Sequence, residues 1–473
     1  MIKRYWSPTM RMLWETPERK FHWWLEVEIA AIGAREALGQ IPDGTARNVR
    51  ERTWMDPIVM NAIVRRDKEI NHDLNAFVEI IRLQLILPRE EFDRLPFGVQ
   101  SEGAFNEAID AALAKQSDSP LAGYFHDGMT SYDTEEPAMA LLLRESGTCI
   151  QTGLSGLCVA LKKRAQQHRG TLMIGRTHGQ HAQPITFGIK LVNWCSHVDH
   201  ALQTLDQMMR EIGAMKLSGA VGTYGTLSPD VEDLVAKSFG LTPVIATQIV
   251  PLDRRARLLN ELAVIGAVLE NIAFDLWLMA QTEVGEIREP FGKRQKGSSA
   301  MPHKKNPITL EKLRGLPRLL RGYAMAGMEN VATANERDIS HSSVERFCFA
   351  DAFGVLDHVI TQLTKIIDGM EVFPERMLQN LKMTHGVIAS QRVEMWLKSN
   401  GVPAEAAYRA VQRLCAEAVE NRRFLGDLIL SDSGIRALLG TDFKGALDCF
   451  DWKSWVEHED FIYQRAGIGD TPT

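Results

Sequence analysis

A long seam of apolar residues between Ala256 and Ile287 constrains the fold more than any other feature of the chain. Apolar side chains recur there at alternating steps of four and three, the period of one face of a long helix. The members of the seam are Leu258, Leu262, Ile265, Leu269, Ile272, Leu276 and Met279. A helix of about 30 residues is roughly 45 Å long, and it can bury such a seam only against partners of similar length. The seam therefore predicts a helix bundle.

Two further stretches have the length and composition to pack beside this helix. They run from Leu141 to His168 and from Gly188 to Gly213. Strand signals are weak, and the glycine-rich run GAVGTYGTLS is more typical of a loop than of a sheet. We therefore predict an all-α fold.

The chain of 473 residues is too long for one ordinary core, and we expect three helical domains. Residues 1–134 form the N-terminal domain, with an inserted surface excursion near 88–120 where prolines and serines break the helical pattern. Residues 135–370 hold the long-helix bundle, and residues 371–473 form a small C-terminal domain. In the last domain Pro403 begins an amphipathic helix through Tyr408, Val411 and Val419.

Composition excludes several classes of protein. A net charge of −6 argues against a general nucleic-acid binder, which needs a strongly basic face. The six cysteines are scattered without a C-x-x-C pair, which argues against a zinc cluster and suits a reducing compartment. The chain has no apolar run of about 18 residues and no signal-peptide pattern at its start. We therefore expect no membrane span and a cytoplasmic location.

Four segments concentrate polar residues in a way that a core would not. They are KGSSAMPHKKNP at 296–307, IGRTHGQHAQP at 174–184, FHDGMTSYD at 125–133 and NERDISHSSVERF at 335–347. Each alone has an ordinary interpretation: a solvated lysine loop, a loop histidine, a turn capped by hydroxyls before a helix at Pro137, and a helix start with salt bridges. Their chemistry also suits catalysis, because a histidine with a pKa of about 6.5 can donate a proton at neutral pH. Two arginines with two serines in the last segment can clamp a phosphate.

Together these segments resemble the fumarase/aspartase superfamily. Its signature loop reads G-S-S-x-M-P-x-K-x-N-P, and Gly297–Pro307 matches that loop at every defined position. Within the superfamily the chain most resembles the adenylosuccinate lyases. This likeness rests on the start MIKRYWSPTMRMLW and on IGRTHGQHAQPITFG and ERDISHSSVER, and it covers nearly the whole chain.

The resemblance implies three helical domains, with the central bundles of four subunits packed into a 20-helix core and each active site shared among three subunits. It implies a carbon–nitrogen lyase of purine biosynthesis that releases fumarate by β-elimination. The substrates would be adenylosuccinate, giving AMP, and succinyl-aminoimidazole carboxamide ribotide. This chemistry requires neither a metal nor a redox cofactor.

The same resemblance assigns the catalytic groups. Ser298 matches the base that removes the Cβ proton of the succinyl group, and His178 matches the acid that protonates the departing nitrogen. Lys304 and Asn306 match the groups that hold the carboxylates, and Glu311 matches a carboxylate that orients the acid histidine. His72 is implied as a further catalytic histidine. The other substrate-binding positions are Arg4, Tyr5, Asp73, His126, Thr130, Ser131, Thr177, Gln248, Ser299, Met301, Arg337, Ser342 and Arg346.

The chain also departs from the family pattern. Tyr132 and the acidic pair Glu135 and Glu136 follow the predicted succinyl-binding residues, and Leu252 stands where the family often has arginine. These departures leave two other hypotheses open. One is a paralogous lyase that acts on another N-succinyl substrate or cyclises a muconate, and the other is a non-catalytic helical scaffold.

Overall fold

The computed structural model describes residues 2–98, 101–114, 119–440, 443 and 445–469. Helices dominate this part of the chain, as predicted, and its strands form two-stranded pairs. The helices are α1 (Pro8–Trp14), α2 (Glu18–Ala37), α3 (Thr45–Arg52), α4 (Pro57–Ile70), α5 (Asp73–Ile86), α6 (Arg89–Phe92), α7 (Glu102–Leu113), α8 (Pro120–Tyr124), α9 (Ser131–Gln167), α10 (Phe187–Glu211), α11 (Pro229–Phe239), α12 (Asp253–Met279), α13 (Ile308–Gly315), α14 (Pro317–Glu329), α15 (Ser340–Gly369), α16 (Pro374–Lys382), α17 (Ser390–Ser399), α18 (Ala404–Asn421), α19 (Leu425–Ser431), α20 (Ser433–Leu439) and α21 (Glu459–Arg465). The strands are β1 (Leu172–Thr177), β2 (Gln180–Thr186), β3 (Ala214–Met215), β4 (Thr242–Pro243), β5 (Ile287–Arg288) and β6 (Glu371–Val372).

Helix α12 carries the predicted seam. Every seam residue from Leu258 to Met279 is at most 2% exposed. The helix ends at Met279 instead of continuing to Ile287, and the chain turns through Gly285 at a φ of 63° before reaching Ile287. Ile287 then lies in β5, which pairs antiparallel with β6. The predicted partners are α9 and α10, both long helices.

The chain forms two compact units, each assembled from separate segments. Unit 1 comprises Met1–Gly153, Leu202–Gly266 and Leu316–Val359, and unit 2 comprises Leu154–Ala201, Ala267–Gly315 and Ile360–Thr473. The long helices α9, α10, α12 and α15 each contribute residues to both units. The three domains expected from the sequence, at 1–134, 135–370 and 371–473, stay a prediction. The two units are defined by packing and combine separate segments of the chain, so they do not test domain boundaries drawn along the sequence.

In unit 1 the long helices are joined through buried charges and close backbone approach. Arg255 on α12 forms ion pairs with Glu136 on α9 and, at 2.9 Å, with Glu345 on α15. Helix α14 packs tightly on α12 at Gly327, where an added Cβ would lie 2.5 Å from a methyl carbon of Leu259. Both contacts fix helices that are distant in sequence.

The excursion expected near 88–120 is part of the core of unit 1 in the described residues. Phe105 and Ile109 of α7 are fully buried, and the Arg65 guanidinium lies 4.1 Å from the Phe105 ring centroid. The expectation of a surface excursion was therefore wrong for α7, because its own apolar face packs against the N-terminal helices. Residues 99–100 and 115–118 of this segment lie outside the described residues.

The C-terminal helices of unit 2 have their own apolar core. Helix α18 begins after Pro403 as predicted, but Tyr408 and Val419 are 52% and 58% exposed. The buried face of the helix consists of Ala407, Val411, Leu414 and Ala418. Tyr408 and Val419 each lie one residue, or about 100° of rotation, beyond that face.

Among the described residues, α12 is the one helix whose length and hydropathy would suffice to cross a membrane. Half of its most apolar window is buried inside the protein. The core helix of a globular protein meets the same criterion, so this feature is weak support for a membrane span.

Candidate active site

In unit 2, the predicted acid lies at the tip of a β-hairpin. Strands β1 and β2 pair antiparallel up to Thr177 and Gln180, leaving His178 and Gly179 as a two-residue turn. Both turn residues have positive φ, 54° and 75°, as a type I′ turn requires. The sequence predicted a loop here. The strands add rigidity and leave the His178 side chain exposed to solvent.

Buried polar contacts hold this hairpin in place. Arg176 donates two hydrogen bonds, of 3.1 and 2.8 Å, to the Glu286 carboxylate, which is fully buried. Asn380 on α16 donates a third, of 2.9 Å, to the same carboxylate. Burial, together with the nearby Arg176 charge, lowers the pKa of His181. The strands next to the tip are therefore fixed, while the His178 side chain remains accessible.

The signature loop has the geometry of a tight polar turn. The Ser298 Oγ accepts hydrogen bonds from the backbone N–H groups of Ala300, at 3.3 Å, and Met301, at 3.1 Å. Donors of this kind stabilise negative charge on an oxygen. Gly297 is required by its surroundings, because a Cβ there would lie 2.2 Å from the carbonyl oxygen of Lys304.

The far end of the loop is anchored to the start of α13. The Glu289 carboxylate accepts hydrogen bonds from the backbone N–H groups of Thr309 and Leu310, both at 3.1 Å. Burial raises the pKa of Glu289, although these donors oppose the shift. The predicted ligands Ser299, Met301 and Lys304 are exposed, and Asn306 is half-buried.

The predicted pairing of Glu311 with His178 is not formed within this chain. Glu311 is exposed on the first turn of α13. Among the described residues no hydrogen bond or ion pair joins His178 to Ser298, Lys304 or Glu311. The orienting role of Glu311 therefore stays a prediction.

In unit 1, a cleft of about 290 Å³ gathers five of the predicted binding residues together with His72, and we call it the Arg346 cleft. It is lined by Asp67, Asn71, His72, Asp73, Ser131, Tyr132, Glu135, Arg337, Ile339, Ser342 and Arg346. Asp73 accepts hydrogen bonds from Lys20 Nζ at 2.7 Å and Arg346 Nη2 at 2.9 Å. Burial alone would raise the pKa of Asp73, but these two cations outweigh it and hold the pKa at about 2. The cleft thus presents cations that already bind an anionic group.

Arg337 also lines the cleft. Its guanidinium lies 3.9 Å from the Tyr132 ring centroid and donates a 3.3 Å hydrogen bond to Gln248 Oε1. Its Nε is 3.5 Å from Nε2 of the buried His341. These contacts fix the guanidinium plane and leave the residue half-buried beside the cleft.

The start of α9 supplies the hydroxyl side of the site. The helix begins at Ser131, earlier than the predicted start at Pro137, because the Asp133 carboxylate accepts a 2.9 Å hydrogen bond from the Thr130 N–H. Asp133 is itself held by a fully buried 2.6 Å ion pair with Lys216. Pro137 therefore lies inside the helix.

His126 lies on the chain just before α9 and contacts a buried acid. Its Nδ1 is 2.7 Å from Oε1 of Glu28, whose side chain is fully buried. Burial opposes a charge on the imidazole, but the Glu28 carboxylate outweighs it and raises the pKa of His126. His126 does not line the Arg346 cleft.

The residues that depart from the family pattern have distinct surroundings in the structure. Tyr132 and Leu252 are 6% and 4% exposed and share one apolar cluster with Ile249. Glu136 is structural, since its carboxylate pairs with Arg255. Glu135 lines the cleft, and burial raises its pKa to about 7. The sequence flagged these positions, but their separate roles required the structure.

Arg4 and Tyr5 are not brought to the Arg346 cleft within this chain. Arg4 is exposed, and the Tyr5 ring packs edge-on against His358 at 5.1 Å. His358 lies about 18 Å along α15 from Arg346, at about 1.5 Å per residue. Lys20, which the sequence did not single out, takes a position against Asp73 and lies 4.1 Å from the Trp24 ring centroid. No local motif marks it, because its partner is 53 residues away.

Known proteins resemble this chain over most of its length. Residues 63–322 match the family model described as lyase, and residues 386–466 match the model described as adenylosuccinate lyase C-terminus. The adenylosuccinate lyase of Thermotoga maritima is 37% identical over 466 residues, covering 98% of this chain and 99% of the relative. That of Bacillus subtilis is 35% identical over 469 residues, covering 99% and 100%.

Solved structures share the fold at lower identity. A fumarate lyase from Mesorhizobium sp. BNC1 superposes with a TM-score of 0.82 at 24% identity, covering 99% of this chain and 100% of the other. A 3-carboxy-cis,cis-muconate lactonizing enzyme from Pseudomonas putida gives 0.79 at 22%, covering 98% and 96%. At this identity the likeness extends to the fold alone.

Proposed function

The chain belongs to the adenylosuccinate lyase family, and from that premise we propose that it cleaves adenylosuccinate to AMP and fumarate. We extend the proposal to succinyl-aminoimidazole carboxamide ribotide, which carries the same succinyl C–N bond. The observation that carries the proposal is identity of 35–37% to curated adenylosuccinate lyases over essentially the whole chain. The reaction is an elimination by a carbon–nitrogen lyase.

The signature loop supports a role for Ser298 as the base. A proton next to a carboxylate is very weakly acidic, because its removal places two negative charges on one carboxyl group. The serine must therefore be activated, and the two backbone N–H groups that face its Oγ favour the alkoxide. Lys304 and Asn306 on the same loop would stabilise the aci-carboxylate as it forms.

The hairpin supports a role for His178 as the acid. The departing nitrogen needs a proton, and an imidazole supplies one at neutral pH. The type I′ turn presents His178 at an exposed tip, while Arg176 and Glu286 anchor the strands behind it. The hairpin thereby fixes the position of His178 without burying its imidazole ring.

The Arg346 cleft supports binding of the nucleotide phosphate. Arg346 and Lys20 converge on Asp73, and Arg337 and Ser342 line the same cleft. A phosphate would draw on the same guanidinium groups through charge-assisted hydrogen bonds. His72, Ser131 and Gln248 would contact other parts of the substrate.

We also propose a homotetramer with composite sites. Exposed apolar side chains on the long helices, such as Val159 at 67% and Val264 at 58%, are suited to burial against other subunits. Such an assembly would bring Glu311, Arg4 and Tyr5, which lack the predicted contacts here, to sites that other copies share. The six free cysteines agree with a cytoplasmic, reducing location.

The test is turnover of adenylosuccinate by the purified protein, followed as loss of substrate absorbance with release of fumarate. Ser298→Ala should lower kcat by at least about a thousandfold while substrate still binds. Ser299→Ala is the matched control, because it removes the neighbouring hydroxyl and should cost far less in kcat. Folded tetramer without turnover, or equal losses in the two variants, would overturn the assignment.

The second candidate is a paralogous lyase for another N-succinyl compound. The contact of Tyr132 with Leu252, and the placement of Glu135 in the cleft, are the observations that favour it. A screen of N-succinyl nucleotides with fumarate release as readout separates the two candidates. A kcat/KM for another compound at least about tenfold above that for adenylosuccinate would favour the paralogue.

A further inference from the structure

Two long helices of unit 2 place two thiols and a carboxylate at one point. Cys158 lies on α9, while Cys195 and Asp199 lie one turn apart on α10. The Cys158 thiol donates to Asp199 Oδ1 at 3.1 Å, and Cys195 Sγ lies 3.6 Å from Asp199 Oδ2. The possible ligand atoms of all three residues lie within 4.8 Å of one another. None of these residues belongs to the proposed catalytic machinery.

We propose that Cys158, Cys195 and Asp199 bind a thiophilic divalent cation such as Zn²⁺. Tetrahedral zinc, with Zn–S distances of about 2.3 Å and Zn–O distances of about 2.0 Å, separates sulfur from oxygen by roughly 3.5 Å. The distances from Cys158 Sγ to Asp199 Oδ1, 3.1 Å, and from Cys195 Sγ to Asp199 Oδ2, 3.6 Å, lie on either side of that value, each to a different carboxylate oxygen. Closing around one ion therefore requires a rotation of the Asp199 carboxylate, so that one oxygen or both face the two sulfur atoms.

The surroundings meet the other requirements of such a site. The thiols of Cys158 and Cys195 are at most 5% exposed, so an ion there would be shielded from competing ligands. The Asp199 side chain is 36% exposed, which leaves a route of entry and a place for a water as fourth ligand. Lys162 Nζ lies 3.7 Å from Asp199 Oδ2. Two thiolates and one carboxylate balance a divalent ion plus this ammonium group.

The sequence argued against a zinc cluster because no two cysteines have C-x-x-C spacing. That criterion detects ligands that are close along the chain. Here Cys158 and Cys195 are 37 residues apart and meet because α9 and α10 pack side by side. The ligand set is therefore a product of helix packing.

Metal binding must release protons. Zinc binds the deprotonated sulfur of cysteine, whereas the hydrogen bond from Cys158 to Asp199 requires a proton on that thiol. Each bound Zn²⁺ therefore displaces two thiol protons to solvent as two sulfur–metal bonds form. Affinity should consequently rise with pH.

The experiment titrates the reduced full-length protein with Cd²⁺ and follows the ultraviolet charge-transfer band of the cadmium–thiolate bond. One equivalent per chain is expected. Calorimetry with Zn²⁺ in two buffers of different ionisation enthalpy should report release of about two protons per ion. A wild-type protein that gives no thiolate band, or binds Zn²⁺ without releasing protons, would overturn the proposal.

Variants locate the site. Cys158→Ser and Cys195→Ser should each weaken Cd²⁺ binding by at least about a hundredfold, and Asp199→Asn by at least about tenfold. Cys149→Ser, on the same helix α9, and Cys348→Ser, a buried thiol elsewhere, should leave binding unchanged. Asp199→Asn changes a partly exposed side chain, and it remains informative if a serine variant fails to fold. Equal loss in the control variants would exclude this cluster as the site.

Discussion

At the scale of single residues, Tyr132 has a clear physical role in the Arg346 cleft. The centroid of its buried ring lies 3.9 Å from the Arg337 guanidinium. The ring also packs in one apolar cluster with Leu252. A cation over an aromatic face is worth about 0.5–2 kcal/mol. Tyr132 therefore holds Arg337 in the orientation that a phosphate would meet.

Replacing this ring should affect binding more than chemistry. Tyr132→Leu should raise KM about tenfold with little change in kcat, because Arg337 loses its platform. Tyr132→Phe is the matched control and should stay within about threefold of the parent, since it keeps the ring. Steady-state kinetics check this, and a Phe variant as impaired as the Leu variant would assign the effect to the hydroxyl.

Glu135 is the second residue whose environment sets its behaviour. Burial raises its pKa to about 7, Lys20 opposes that shift and Asp73 adds to it. Below that pH the side chain is neutral beside the proposed phosphate position, and above it the carboxylate repels an anion. A like charge nearby costs on the order of 1 kcal/mol, or roughly fivefold in affinity.

The inhibition constant of AMP should therefore rise with pH more steeply in the parent than in Glu135→Gln. Between about pH 6 and pH 8 we expect the parent to lose roughly fivefold more affinity than the variant. Ionisation of the phosphate itself is common to both proteins and cancels in the comparison. Parallel pH profiles would show that Glu135 does not face the bound phosphate.

At the scale of elements, buried charge joins the long helices of unit 1. The Arg255 guanidinium is 8% exposed and bridges the carboxylates of Glu136 and Glu345. Burial raises the pKa of Glu136 to about 7, against the opposing charge of Arg255. Removal of the arginine would leave two carboxylates without their cation between packed helices.

Arg255→Met should therefore lower the free energy of unfolding by about 3–5 kcal/mol. Arg257→Met, on the same helix, should cost less than about 0.5 kcal/mol, because Arg257 is 65% exposed and its partner Asp253 is 46% exposed. Urea denaturation of the two variants checks the difference. A neutral Arg255→Met would mean that the methionine packs well enough to offset the ion pairs.

Local sequence signals located most elements, and tertiary contacts set their ends. The apolar seam predicted α12, and all its members are buried. The start of α9 was missed by six residues, because the cap formed by Thr130 and Asp133 outweighs the usual preference for proline in a first turn. The hairpin that holds His178 was missed as well, since Gly175, Gly179 and Pro184 within it are typical of a loop.

At the scale of the whole molecule, the proposed catalytic loop and the proposed phosphate cleft lie in different units of the chain. If the proposed tetramer has composite sites, two inactive variants should complement each other. Ser298→Ala lacks the base and Arg346→Ala lacks a clamp residue. Mixed tetramers would contain sites that draw an intact loop from one subunit and an intact cleft from another.

Refolding the two variants together should restore roughly a quarter of parental activity, the share of sites that random mixing leaves intact. Each variant refolded alone is the control and should remain inactive. Fumarate release measures the outcome. Mixed tetramers without activity would place both residues of each site on one subunit.

The sequence by itself determined the helical class, the long seam and the signature loop, because these depend on residues close together in the chain. It also singled out Ser131, Arg337, Ser342 and Arg346, which the structure gathers in one cleft. Only the tertiary structure decided that Lys20 faces Asp73 and that Glu135 has a pKa of about 7. It alone brought Cys158 to Asp199. Burial and charge at these points are set by residues tens of positions away, and helix packing, not local pattern, brings them together.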